Sequence, residues 1–265
     1  MRTLTVFAGA ASALVSLLTT TACTNQVAAQ AISTFQFRHV APDKAGEFIR
    51  RETTYWSKVA KKGIDNGNLT FWGLFEKVGG TDLQSAPNFL FLNTYNNIDS
   101  GWAVWDASKV FPKIPISQME DGAISKTTGE VYLSDKGWQQ AANVVEEKDF
   151  NYLVIYYHNT SNPDSFTNAE IKTWGPFIKT AMDKNQTAQR GWGNSVVLAP
   201  IGSDMKYNSI SYDLFPTLQD ALLVKWDPAV QFPTDGMTEL DKLRTSAPNR
   251  EIYRVIMVVN KPPVK

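Results

Sequence analysis

The sequence predicts an α+β fold in which one β-α-β-β-α-β unit is written twice along the chain. Three observations lead there. A Trp-Gly pair precedes a polar residue in an apolar run at a fixed distance. Trp72-Gly73 precedes Asn93, and Trp192-Gly193 precedes Asp213, by 21 positions from each Trp. Glu130-Val131-Tyr132 and Glu251-Ile252-Tyr253 then follow, 37 and 38 positions later. Finally, Pro42-Asp43 and Pro163-Asp164 open a helical stretch at matching places.

The elements of the first half follow from periodicity and punctuation. Residues 35–40 alternate apolar and polar as a strand does. Over 44–64 the apolar residues Phe48, Ile49, Tyr55, Trp56, Val59 and Ala60 recur near the helical period, and Asp65-Asn66-Gly67-Asn68 stops that helix. Residues 69–78 form a strand carrying Trp72, and the nearly all-apolar run 88–95 a central strand. A second helix is expected over 98–110, ended by Pro112 and Pro115, then a short helix over 117–125. Residues 129–133 make the fourth strand, and 137–147 a connector.

The second half repeats the order. Strands are expected at 152–158, 190–198, 207–215 and 250–259. The long helix after Pro163 contains Trp174-Gly175-Pro176, which predicts a kink or two segments. Short helices are expected after Pro216 and over 237–243. The chain thus divides into 1–31, an export signal and linker, 32–147, the first unit, and 148–265, the second.

The opening segment is read as targeting rather than fold. Met1-Arg2 is a short positive start, and 4–18 is an apolar run too short to span a bilayer. Two processing readings stand. Thr20-Thr21-Ala22-Cys23 resembles a bacterial lipobox, with Thr20 where Leu is preferred. Ala29-Gln30-Ala31 offers an A-x-A cleavage site. The first makes Cys23 a lipidation site and the protein a membrane-anchored envelope lipoprotein; the second gives a soluble periplasmic protein. Membrane contact is expected through that anchor alone.

Cys23 is the only cysteine, so the domain relies on its core rather than on disulfides. Lysine plus arginine equals aspartate plus glutamate, 26 each, which predicts no long-range attraction to nucleic acid. Eight tryptophans suit heavy cores under two sheets, with an aromatic-lined pocket as the sharper alternative.

A β-α-β-β-α-β unit is a split, ferredoxin-like sheet with helices on one face. Its bare face needs a cover. The duplication supplies one if the two sheets pack against each other in a single chain. With Trp56 and Trp174 on the first helices and a Trp-Gly strand in each half, the order resembles the dimeric α/β-barrel superfamily. Its members include stress-responsive barrel proteins, NIPSNAP-like proteins and small cofactor-independent monooxygenases. The resemblance covers about residues 34–260. It implies an intrachain pseudo-dimer, monomeric or further assembled, and a ligand between the sheet and helices of one unit.

Candidate site residues follow from the repeat. Asn93 and Asp213 are polar groups on largely buried sheet faces, each a ligand anchor or a structural group; Asp213 is also a candidate general base. Arg190 is expected to share the face of Trp192 and to pair with Asp213 or bind an anionic ligand. Trp56, Trp72, Trp174, Trp192 and Tyr157 are the aromatic candidates, with core packing as the alternative. His39 and His158 stand without a second ligand at metal spacing, so no metal and no cofactor is assigned. The second half is more polar beside its Trp and is the expected site. The leading reading is an exported envelope protein binding a small apolar or aromatic ligand in a sheet–helix cleft. The alternatives are a cofactor-independent oxygenase or isomerase, with Asp213 and Arg190 catalytic, and an interaction protein with no pocket.

Overall fold

The alternating residues of the strands become the two surfaces of one closed sheet in a computed structural model, which describes residues 31–79, 86–202 and 204–260. Cys23 and the segment around it lie outside the described residues. The chain begins with β1 (Ile32–Val40) and α1 (Ala45–Arg51). Helix α1 passes through a π-helical turn (Glu52–Trp56) into α2 (Ser57–Asp65). Next come β2 (Leu69–Lys77), β3 (Phe89–Tyr95), a short α3 (Ile98–Gly101) and β4 (Ser125–Gln140). After α4 (Glu146–Asp149) come β5 (Tyr152–His158), α5 (Pro163–Asp183), β6 (Gly191–Ala199) and β7 (Ser209–Phe215). The last elements are α6 (Leu218–Leu223), α7 (Thr234–Leu243) and β8 (Asn249–Asn260).

Among the described residues eight strands close into one antiparallel barrel, in the order β1-β3-β2-β8-β5-β7-β6-β4. Trp72 lies directly opposite Asn93 on β3, and Trp192 directly opposite Asp213 on β7. Where two stacked sheets were expected, the structure has one closed sheet, with β2 hydrogen-bonded to β8 and β4 to β6.

Strand β4 makes the second seam by its length. Its first part pairs with β1 and its remainder with β6. The expected strand stopped at residue 133, with a connector from 137; the structure instead runs on to Gln140. Residues 98–110 form α3 and two short 3-10 turns instead of one helix. Gly101 is pressed under Tyr95, where an added Cβ would lie 2.1 Å from the ring. Residues 116–118 form a 3-10 turn where a helix was expected over 117–125. Helix α5 stays continuous over 21 residues with Pro176 inside it. One backbone donor is lost there, while buried Phe166, Ile178 and Met182 pin both sides of the proline. Asn162 caps the start, accepting from the Ser165 amide at 2.8 Å.

Strand alternation separates two cores. Phe35, Phe75, Leu90, Leu133, Ile155 and Ile210 fill the barrel. Trp72, Leu74, Phe89 and Phe91 face outward against Phe48 and Ile64 of the first helix. Trp192 faces outward against Ile178 and Met182 of α5.

The glycine after each Trp faces the other way, into the barrel, and an aromatic ring lies across it. A Cβ on Gly73 would meet Phe75 at 2.6 Å, and one on Gly193 would meet the Tyr212 ring at 2.4 Å. Gly193→Ala is expected to cost about 1–3 kcal/mol by displacing that ring. Urea unfolding checks this; an unchanged midpoint would show that the ring gives way freely.

Candidate functional site

The outward face of β1 and β3 and the first helix enclose a cleft of about 280 Å³. That is near the lower end of small-molecule pockets, roughly 300–1,000 Å³. Its aromatic walls include Trp56, Trp72, Phe91 and Trp105. Trp56 is anchored by donating to the Met119 carbonyl at 2.9 Å, and Trp105 by donating to the Tyr95 hydroxyl at 3.2 Å.

The polar lining is set by a break in the helix. Glu52 opens the π-helical turn, and the Ser57 amide donates to its carbonyl five residues back. Such single π turns inside α-helices recur at functional sites. Glu52 lies four residues after buried Phe48 on the same stripe and is itself buried. Its carboxyl is held well above the ordinary value. Burial is the main cause, then the charge of Asp121 and a hydrogen bond to it, with Arg38 opposing. Asp121 accepts from Arg38 Nη2 at 2.8 Å and from Ser125 Oγ at 3.1 Å. Arg38 also lies 5.9 Å over the Phe91 ring.

Two buried polar atoms of cleft residues have no hydrogen-bond partner among the described residues: Arg38 Nε, a donor, and Asn93 Oδ1, an acceptor. The other end of Asn93 donates to Thr34 Oγ1 at 3.3 Å. Burying a polar atom unpaired is costly, and such atoms in a cleft point to something that pairs with them.

Of the candidates named from sequence, Trp56, Trp72 and Asn93 therefore line one cavity. The second half, the expected site, is arranged differently. Several of its polar residues bond one another between sheet and helix, while Gln189 Oε1, Asn194 Oδ1, His158 Nδ1, Ser209 Oγ and Arg244 Nε have no hydrogen-bond partner among the described residues. Asp213 Oδ1 accepts from Gln189 Nε2 at 2.5 Å. Asn194 donates to the Thr167 carbonyl and to Glu170, both at 3.0 Å. Burial raises Asp213 to about 7 against the pull of Arg250, Gln189 and Tyr156. Burial likewise raises Glu170 to about 7 against Asn194 and Arg244.

Arg190 does not pair with Asp213. It donates to the carbonyls of Thr187 and Gln189, both at 3.2 Å, because it precedes β6 and turns back along the loop. Tyr157 faces the barrel interior, on the opposite side from Asp213, and donates to Glu251 at 3.0 Å. Trp174 packs beside Trp192 with Phe177 and Trp226, as core rather than as a wall around Asp213. His158 is a packing residue. Its ring lies 4.8 Å from Phe166, Ser211 holds Nε2 at 2.7 Å, and burial followed by Arg244 lowers it to about 3.

Sequence reasoning missed Glu52, Asp121 and Arg38. The signal for Glu52 was present: 48, 52, 55 and 59 fall on one helical stripe, so a carboxylate interrupts an apolar face.

No protein-family profile matches the sequence, and no curated protein matches it. Solved structures do share its shape. A candidate monooxygenase from Lactobacillus acidophilus NCFM superposes with a TM-score of 0.55 at 12% identity, covering 87% of this chain and 96% of that one. A candidate monooxygenase from Fusobacterium nucleatum gives 0.51 at 10% identity, over 87% and 94%. An anthrone oxidase-like protein gives 0.50 at 13% identity, over 88% and 93%. At such identities the likeness is one of fold: the chain is an α+β barrel protein whose structural neighbours are dimeric α/β barrels.

Proposed function

We propose that the protein binds a small aromatic molecule with a polar head in the cleft under the first helix, and that Glu52 holds or moves a proton there. The observation that carries this is the pair of buried unpartnered atoms, Arg38 Nε and Asn93 Oδ1, on two residues that line the aromatic cleft together with Glu52. One donor and one acceptor fit a head group with both functions, such as a phenol, an enol or an amide. A carboxyl raised by burial and a like charge keeps its proton to higher pH than an ordinary glutamate, which suits it to hold or pass one in the cleft.

The second reading is a cofactor-independent oxygenase. It is supported by Glu52 beside the aromatic walls and by the fold shared with candidate monooxygenases and an anthrone oxidase-like protein. Removing a proton from such a ring system makes it electron-rich, the state that dioxygen oxidises. The Glu52→Gln variant separates binding from chemistry. It is expected to keep ligand affinity within about threefold while turnover falls about 10²–10⁴-fold, the usual range for one acid–base group. Unchanged turnover would remove Glu52 from this role. No bound molecule on native mass spectrometry of gently purified protein, together with no binding of phenolic probes, would remove the cleft.

The wider reading is of one unit duplicated, 32–147 and 148–265, with a single chain supplying both halves of the pseudo-dimer. It is supported by the two Trp pairings and the repeated strand order. Export, and lipidation at Cys23, belong to the same proposal and rest on the sequence of 1–31. Intact mass of protein from its native host tests both.

A further inference from the structure

Inside the barrel, on the other side of the sheet from the cleft, is a larger chamber of about 570 Å³. No residue lines both spaces. Alternation explains this: Asn93 and Trp72 face outward, while Thr94, Phe71 and Phe75 face in. An eight-stranded barrel is just wide enough to be filled by side chains or to hold one small ligand. Here one end is filled. Tyr157 and Tyr253 both donate to Glu251, at 3.0 and 2.6 Å, and Tyr207 packs 4.8 Å from Tyr157. Toward the other end, at the starts of β2 and β5 and the end of β8, the filling gives way to the chamber.

Its walls are aromatic and aliphatic, among them Phe35, Phe75, Leu153 and Tyr212, with Trp138 at the mouth. Trp138 is 45% exposed; its ring lies 6.1 Å from Tyr212 in a tilted contact and 6.1 Å from Phe150 edge to face, which places an aromatic side chain where the chamber meets solvent. The charged lining has one sign. Among the described residues it consists of Asp135 within and Glu146 and Glu147 at the mouth, with no lysine or arginine. Asp135 is fixed by two hydroxyls, accepting from Ser33 Oγ at 2.5 Å and from Ser195 Oγ at 2.6 Å.

We infer that the barrel interior is a second binding site, for a small hydrophobic amine: an aromatic or aliphatic body among Phe35, Phe75, Leu153 and Tyr212, with its ammonium group toward Asp135 and the mouth glutamates. Apolar walls take the body. Carboxylates and aromatic faces together select a cation over a neutral or anionic isostere. The cleft outside the barrel sets Arg38 among Glu52, Asp121 and Glu130, so its lining carries both signs. This inference does not depend on the proposed role of Glu52.

The test is isothermal titration of the full chain with three probes of one shape: 2-phenylethylamine, 2-phenylethanol and 3-phenylpropanoate. The amine is expected to bind at least tenfold tighter than the alcohol, and the carboxylate weakest. Asp135→Asn is expected to bring the amine to the level of the alcohol. Because Asp135 also holds Ser33 and Ser195, a second variant keeps the test readable: Glu146→Gln with Glu147→Gln, both exposed, is expected to weaken the amine severalfold and leave the alcohol unchanged. Trp56→Phe, in the outer cleft, is expected to leave the amine unchanged. Equal affinity for amine and alcohol, no saturable binding of the amine, or sensitivity to Trp56→Phe but not to the glutamine pair would each overturn the inference.

Discussion

Unfolding measured across pH 4 to 8 is expected to show stability falling as pH rises from about 4.5 to about 7. Two buried carboxyls drive the fall, and buried His158, lowered to about 3, works against it over much of the same range because the unfolded chain binds a proton there that the folded state does not. Glu170 rises from an ordinary 4.5 to about 7, and Asp213 from 3.8 to about 7, each mainly by burial. The folded state therefore holds protons that the unfolded chain has already released. A group of this kind favours folding below its unfolded value and loses that advantage as pH climbs to its folded value. At 1.36 kcal/mol per unit, each can contribute roughly 3–4 kcal/mol, and less when the two titrate as a coupled pair. Glu170→Gln keeps an acceptor for Asn194 and removes one titration. The slope of stability against pH should become less negative by up to about 1.36 kcal/mol per pH unit, the contribution of one proton. An unchanged slope would show that Glu170 is ionised, or hydrated, in the folded protein. Ordinary acid destabilisation belongs at lower pH, where Glu47, lowered to about 2 by hydrogen bonds from Arg50 and Arg51, would protonate.

Trp72→Ala and Trp192→Ala are each expected to destabilise the fold by about 3–5 kcal/mol, the usual cost of removing a buried Trp. The rings are 1% and 2% exposed and bind the barrel to its helical layer on opposite sides. Chemical denaturation gives the cost directly. The two variants also report on different things. Trp192 lies against Ile178 and Met182, so its loss should act on stability alone. Trp72 lines the outer cleft, so its loss should also weaken binding of any aromatic ligand there. A cost under about 1 kcal/mol at either position would mean that the helices are held by other contacts.

The barrel strands that carry Trp72 and Trp192 were legible because these are large residues in similar surroundings. Trp72 and Trp192 each need a helix over them, and each faces the same partner position across the sheet. The element order and the placing of Asn93 beside Phe91 and Tyr95 follow from period-two alternation alone. What failed had a local physical cause. Strand β4 was ended at Leu133, ahead of the polar Asp135 and Lys136, whereas Asp135 continues the inward series of Val131 and Leu133 and is sustained by two serine hydroxyls. Trp138 was therefore assigned to a connector and the chamber went unseen. Arg190 was matched to Asp213 by charge, although Gln189, one residue earlier, reaches it. Site preference went to the second half because it is more polar. Asp213 and Asn194 there are bonded to Gln189, Glu170 and the Thr167 carbonyl between sheet and helix, whereas the polar residues under the first helix line an open cleft.

The two seams of the barrel bear on how the protein is made. Strand β8 is the last of the eight to leave the ribosome, yet it supplies the neighbour of both β2 and β5. Until it emerges, two backbone edges with apolar flanks stand unpaired, the condition that favours strand exchange between chains. Nascent chains stalled before residue 249 should therefore associate with one another or with a holdase, and release of the final strand should end that association.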